Sequence, residues 1–109
     1  MQIEQRITFI HADDFGITPG QAKAILSLSS SCGGSGALNS VSIFANSPAF
    51  YEAASLAQPY VRRGVLRVCL HLNLVEGPSV ADPKRIPLLV NERGMFDNNF
   101  MGLFKLGIT

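Results

Sequence analysis

The sequence predicts an α/β fold with parallel strands, and three observations carry that expectation. Strand-like and helix-like segments alternate as strand, helix, strand, helix, strand up to Leu74. Both helix starts place Pro at the first helical position behind a hydroxyl residue, Thr18-Pro19 and Ser47-Pro48. The predicted strands are rich in β-branched and aromatic residues and vary in their apolar periodicity, as strands in a covered sheet do. A helix between successive strands implies parallel pairing, which brings every carboxyl end to one edge of the sheet. Ligand sites of open α/β sheets and barrels collect at that edge.

The first strand is expected over about Arg6 to Ala12, an apolar run read as buried. It delivers the adjacent carboxylates Asp13 and Asp14 to its end, and Phe15-Gly16 then turns the chain. Because side chains alternate along a strand, the two acids are expected to leave in different directions and need not share one job. Thr18-Pro19-Gly20-Gln21 follows as a capping box, with Thr at the N-cap, Pro at N1 and Gln at N3. Ala22, Ile25, Leu26 and Leu28 give this helix an apolar face, and the Ser29 to Gly34 run ends it. The glycine-rich stretch Ser31-Cys32-Gly33-Gly34-Ser35-Gly36 reads as a linker. A phosphate loop follows a strand and opens a helix, whereas this one follows a helix.

The second strand is expected from about Leu38 to Ala45, with Val41, Ile43 and Ala45 on one side and Ser40, Ser42 and Phe44 on the other. Ser47 and Pro48 start a second helix whose stripe is Phe50, Ala53, Ala54 and Ala57. Gln58-Pro59 should break or kink it, and Arg62-Arg63-Gly64 forms its last turn, with cations near the negative end. The third strand is expected over about Val65 to Leu74. Its Leu66, Val68, Leu70, Leu72 and Leu74 should pack under helices, while Arg67, Cys69, His71 and Asn73 share the opposite, polar face. Beyond Glu76-Gly77-Pro78 the residues around Asp82 to Pro87 read as an irregular polar loop. Val90 to Phe96 reads as a small hairpin over the sheet edge, and Phe100 to Leu106 as an apolar helix.

A length of 109 residues with 47% apolar content suits one small domain or a piece of a larger one. The formal net charge of +1 leaves no basic stripe to track a phosphate backbone, so no nucleic acid partner is expected. No apolar run approaches the roughly 20 residues of a membrane span, and Gln2, Glu4, Gln5 and Arg6 make no signal peptide. A cytoplasmic protein without a membrane partner is expected. Cys32 and Cys69 lack metal or disulfide spacing; Cys69 reads as a small buried hydrophobe and Cys32 as a loop residue.

With parallel pairing, Asp13, Asp14 and His71 can converge although they are distant in sequence. Together with their surroundings they resemble the YdjC-like carbohydrate deacetylases, which include the chitooligosaccharide deacetylases. The resemblance runs through Ala12-Asp13-Asp14-Phe15-Gly16 with Thr18-Pro19-Gly20, through Ser40 to Phe50, through Leu70-His71-Leu72-Asn73-Leu74 with Glu76-Gly77, and through Ile86 to Phe96. It implies a (β/α) barrel of the polysaccharide-deacetylase type, a divalent metal ion (Mg²⁺ or Zn²⁺), and removal of acetyl groups from an N-acetylated oligosaccharide. By position, Asp13 is the implied catalytic base, and Asp14 and His71 are implied metal ligands. An amide is a poor electrophile, so a cation that polarises its carbonyl and a carboxylate that takes the proton of the attacking water suit the reaction.

Family members commonly carry Asn at the position of His11, Gly at Cys69 and Thr at Val75. His11 reads as a strand residue in preference to an additional ligand, and Glu76 as loop chemistry beside a Gly-Pro turn in preference to a residue facing the site. Family chains also continue past this length and carry a further His ligand. The 109 residues are therefore expected to be the amino-terminal portion of a single deacetylase domain. The alternative expectation is a non-catalytic module, a homo-oligomer assembled through its open sheet edge.

Overall fold

The computed structural model describes residues 4–30 and 34–107. Cys32 and Gly33, read above as loop residues, lie outside them. Strand β1 (His11–Phe15), helix α1 (Pro19–Leu26), strand β2 (Ser40–Phe44), helix α2 (Phe50–Arg62) and strand β3 (Arg67–His71) follow in order. The strands form a parallel sheet in the order β1-β2-β3. The expected α/β alternation is present, with β2 central. A two-stranded antiparallel ribbon of β4 (Glu76–Pro78) and β5 (Met95–Asp97) follows, then helix α3 (Phe100–Gly107).

The core lies between the sheet and the two crossover helices. Phe15, Val41 and Ile43 project from the strands toward Ala22 and Leu26 of α1 and Ala53 and Ala57 of α2. Small residues on both helices let α1 and α2 pack against each other as well as on the sheet. Gly16 makes the closest approach: a Cβ there would meet the Ala53 Cβ at 3.1 Å, and its φ of +93° disfavours any L side chain.

β1 begins later than its apolar run suggests. β2 pairing starts at Ser40, whose partner is His11. Residues before His11 lie beyond the start of β2 and are reached through Asn39, whose side chain accepts from Ile10 N and donates to Thr8 O. Ile7, Phe9 and Ile10 are correspondingly exposed rather than buried. Phe15, expected to turn the chain, is instead fully buried in the core.

The apolar face of β3 departs furthest from expectation. Leu66 is buried, but Leu70 is 60% and Leu72 81% exposed, and Val68 and Leu74 are exposed too. Two crossover helices cover the three strands only as far as β2 and the start of β3. The segment after β3 forms a ribbon rather than a third covering helix.

Thr18 caps α1 as expected, its Oγ1 accepting from Gln21 N at 3.0 Å. α2 does not break at Pro59; it continues to Arg62 before Gly64 closes it at φ +70°. Ser47 acts two residues before the N-cap Ala49, its hydroxyl accepting from Ala49 N and donating to Gly16 O. Val90 bridges Phe96 around a turn, as the hairpin expectation has it, while the main partner of β5 is β4. A short 3-10 turn at Pro83–Arg85 interrupts the expected irregular loop. The linker glycines serve close packing: Cβ atoms at Gly34 and Gly36 would strike the Ser29 and Leu28 carbonyl oxygens. Amides of Ser35, Gly36 and Leu38 are bonded to backbone carbonyls, so they are not a phosphate cradle.

Candidate functional site

The carboxyl ends of β1, β2 and β3 bring Asp13, Asp14, Ser42 and His71 to one rim. The device that does so is a β-bulge. Ala12 pairs with Val41 and Phe15 with Ile43, so β1 spends one residue more than β2 over the same span. Asp14 takes the strain of that extra residue at φ +62°, and no other non-glycine described residue has positive φ. In a regular strand Asp14 would follow Ala12 into the core and Phe15 would point away. The bulge sends Ala12 and Phe15 to the helices and leaves both acids at the polar rim. The expectation that the acids part company is thereby corrected.

Gln21 holds the bulge in place. Its Oε1 accepts from Gly16 N at 3.0 Å and Ile17 N at 3.1 Å, and its Nε2 donates to Asp14 O at 2.6 Å. A capping box would send this amide to the Thr18 N–H. Here it satisfies the backbone groups of the turn leaving the bulge.

Ser42 links the two acids' surroundings. Its Oγ donates to Asp13 Oδ1 at 3.0 Å and lies 3.4 Å from His71 Nδ1. Asp14 Oδ1 is 3.3 Å from His71 Nδ1. Phe44, one register step from the bulge, stacks on the imidazole with ring centroids 4.3 Å apart and fixes its plane. His11, read as a plain strand residue, sits inside this cluster: its Nε2 is 3.2 Å from Asp13 Oδ1 and its Nδ1 2.6 Å from Ser40 Oγ. Among the described residues neither acid is paired with Lys or Arg.

The Asp14–His71 pair suits a shared cation. Two ligand atoms about 2.1 Å from one ion lie about 3.0 Å apart at a right angle and about 3.4 Å apart at the tetrahedral angle. The observed 3.3 Å falls in that interval. His71 Nδ1 has three polar neighbours at 3.3–3.4 Å and no short hydrogen bond among the described residues. Its lone pair is thus weakly engaged by protein. Among the described residues no group of three His, Cys, Asp or Glu gathers closely enough to enclose an ion. The chain supplies two neighbouring donors.

A cleft of about 290 Å³ opens beside Asp14, lined by Ile17, Phe44, Pro48, Asn73 and Glu76 among others. Asn46 and Asn73 build its far wall. Asn46 Nδ2 donates to Glu76 O and Pro78 O, and Asn73 Oδ1 accepts from Val75 N and Glu76 N. Glu76, for which loop chemistry was the simpler expectation and a site-facing position the alternative, lines the cleft. Cys69 is half-buried rather than fully buried. Ser42 was legible as a site residue, since the two-residue period of β2 puts it on the polar face; Gln21 was legible only as a cap.

A parallel α/β unit thus gathers one histidine and two acids at its strand ends. The chain belongs to the YdjC-like protein family, whose model matches residues 8–107. It is 33% identical over 93 residues to a carbohydrate deacetylase of Thermoanaerobacter pseudethanolicus, a match covering 84% of this chain and 34% of that protein. A carbohydrate deacetylase of Geobacillus stearothermophilus is 36% identical over 91 residues, covering 84% and 33%. The chain thus spans about a third of the length of these relatives. The fold matches a crystal structure from Enterococcus faecalis V583, described as that of a cellobiose-phosphate cleavage protein. That match has a TM-score of 0.69 and 26% identity, covering 89% of this chain and 36% of the other. Among the described residues no helix is long and apolar enough to cross a membrane.

Proposed function

We propose that this chain is the amino-terminal portion of a (β/α) barrel deacetylase that removes acetyl groups from N-acetylated oligosaccharides with the help of a divalent metal ion. The observation that carries the reading is the placement of Asp14 Oδ1 3.3 Å from His71 Nδ1, with Asp13 joined to the same histidine through Ser42. Asp14 and His71 are the residues that would hold such an ion, either Mg²⁺ or Zn²⁺, since carboxylate oxygen and imidazole nitrogen suit both. When bound, the ion supplies Lewis-acid polarisation of the acetamide carbonyl.

The protein's own groups do the rest. Asp13 accepts the proton of the water that attacks the carbonyl carbon, with its carboxylate oriented by the Ser42 hydroxyl. As the C–N bond breaks, a proton passes to the leaving nitrogen, giving acetate and an amino sugar. The cleft beside Asp14, with Phe44 and Pro48 as apolar surfaces and Glu76 as a polar one, receives the sugar ring.

Acetate release from N-acetylated chitooligosaccharides by the full-length protein, together with calorimetric titration of Zn²⁺ and Mg²⁺, tests this. Asp13→Asn is expected to abolish release and leave metal binding intact. Asp14→Asn and His71→Ala are expected to lose metal binding. Undiminished release by Asp13→Asn would remove the assigned base, and undiminished metal binding by Asp14→Asn the assigned ligand.

The exposure of Leu70 and Leu72 favours a second reading, self-association of the 109-residue chain through the β3 edge. Sedimentation of the chain and its Leu72→Lys variant separates the two. A dimer that the variant disperses supports association, and a monodisperse unsubstituted monomer refutes it.

A further inference from the structure

Asp13 has the more exposed side chain of the two acids, at 73% against 54% for Asp14. An exposed carboxylate samples several rotamers unless something holds it, and a general base out of place loses its effectiveness. Two contacts hold this one, and both fall on Oδ1: the Ser42 hydroxyl at 3.0 Å and His11 Nε2 at 3.2 Å.

His11 is itself anchored. Its Nδ1 lies 2.6 Å from Ser40 Oγ, and Ser40 and Ser42 are both buried on the central strand. His11 and Asp13 stand two residues apart on β1, and Ser40 and Ser42 two residues apart on β2, with His11 in register with Ser40. The four side chains therefore form a row of contacts, Ser40 to His11 to Asp13 to Ser42, across the two strands on the polar face. When Ser40 donates its hydroxyl proton to Nδ1, the neutral ring carries its own proton on Nε2, aimed at Asp13 Oδ1. Each of the four side chains then has a partner in the row.

We infer that His11 is the positioning residue of Asp13. It ties Oδ1, jointly with Ser42, so that Oδ2 is presented to the attacking water. This rests on Asp13 being the base under the proposed function. His11 does not touch substrate or metal in this arrangement, and it acts only through the carboxylate.

The test uses the full-length protein with N-acetylated chitooligosaccharides and a parallel ¹⁵N histidine NMR spectrum. His11→Ala is expected to lower kcat by about 10- to 100-fold, with KM and the Zn²⁺ dissociation constant each within about twofold, because misplacement of a reacting group of this kind costs up to about 10². His11→Gln, whose amide nitrogen reaches the place of Nε2, should restore kcat to within about fivefold of the unsubstituted protein, which a purely structural role would not require. In the spectrum, His11 should carry its proton on Nε2, and Asp13→Asn should shift that signal. Unchanged kcat in His11→Ala, a rise in KM alone, or a His11 signal indifferent to Asp13→Asn overturns the inference. An unsubstituted protein that releases no acetate, yet shows the His11–Asp13 coupling, overturns the deacetylase reading and with it the base, though not the contact.

Discussion

Gln21→Ala is the perturbation that most directly tests how the rim is built. The variant removes one donor and one acceptor that between them bond three backbone groups, at 2.6, 3.0 and 3.1 Å. A net intramolecular hydrogen bond contributes about 0.5–1.5 kcal/mol. The bonds to Ile17 N and Asp14 O are exposed, so water replaces them and each counts at the low end, while the partly buried bond to Gly16 N counts for more. The expected loss is about 2 kcal/mol, roughly a 30-fold change in the folded-to-unfolded ratio. Urea denaturation should show a lower midpoint at unchanged slope. Amide hydrogen exchange adds a local reading, since Gly16 and Ile17 N–H lose their acceptor and should exchange about tenfold faster. Gln21→Glu keeps that acceptor but no longer donates to Asp14 O, so it should protect those two amides and recover only part of the stability. A loss below about 0.5 kcal/mol in Gln21→Ala, with Gly16 and Ile17 exchange unaltered, would refute the view that this side chain holds the bulge.

Gly16→Ala should be more severe, because it combines a disfavoured backbone conformation with a Cβ placed 3.1 Å from Ala53 Cβ. A loss of about 2–4 kcal/mol is expected, read as a fall in Tm. Gly64→Ala, at φ +70° with nothing within 4 Å of its Cβ, carries the backbone cost alone and should lose about 1 kcal/mol; equal losses in the two variants would show that the α2 contact does not matter. Asn46→Ala withdraws the amide that bonds Glu76 O and Pro78 O. Amides of the β4–β5 ribbon should then exchange faster while those of β1 to β3 hold, and a uniform change would contradict the assignment of Asn46 to the cleft wall.

Features set within one strand were legible in the sequence, and those set between elements were not. Polar-face periodicity in β2 and β3 placed Ser42 and His71 correctly, because a period of two depends only on the strand's own geometry. The same argument misdirected Asp13 and Asp14, since a bulge depends on the register against a neighbouring strand. It failed again at Leu70 and Leu72, whose burial depends on whether a helix lies above them. His11 and Gln21 were assigned ordinary local roles because their partners, Ser40 and the Gly16 to Ile17 amides, are set by the pairing of β1 with β2 and the path of the turn.

The sequence by itself determined the alternation of strands and helices, the Thr18 cap, the parallel pairing and the gathering of the strands' carboxyl ends at one edge. These follow from local propensity, periodicity and the connection rule for parallel strands. Only the tertiary structure decided that both acids share one rim, that Phe15 fills the core, and that His11 and Ser42 hold Asp13. The first two turn on a single extra residue in β1 opposite β2 and the third on the register of His11 with Ser40, and an offset or a register is a property of two strands paired, which no stretch of either strand specifies alone.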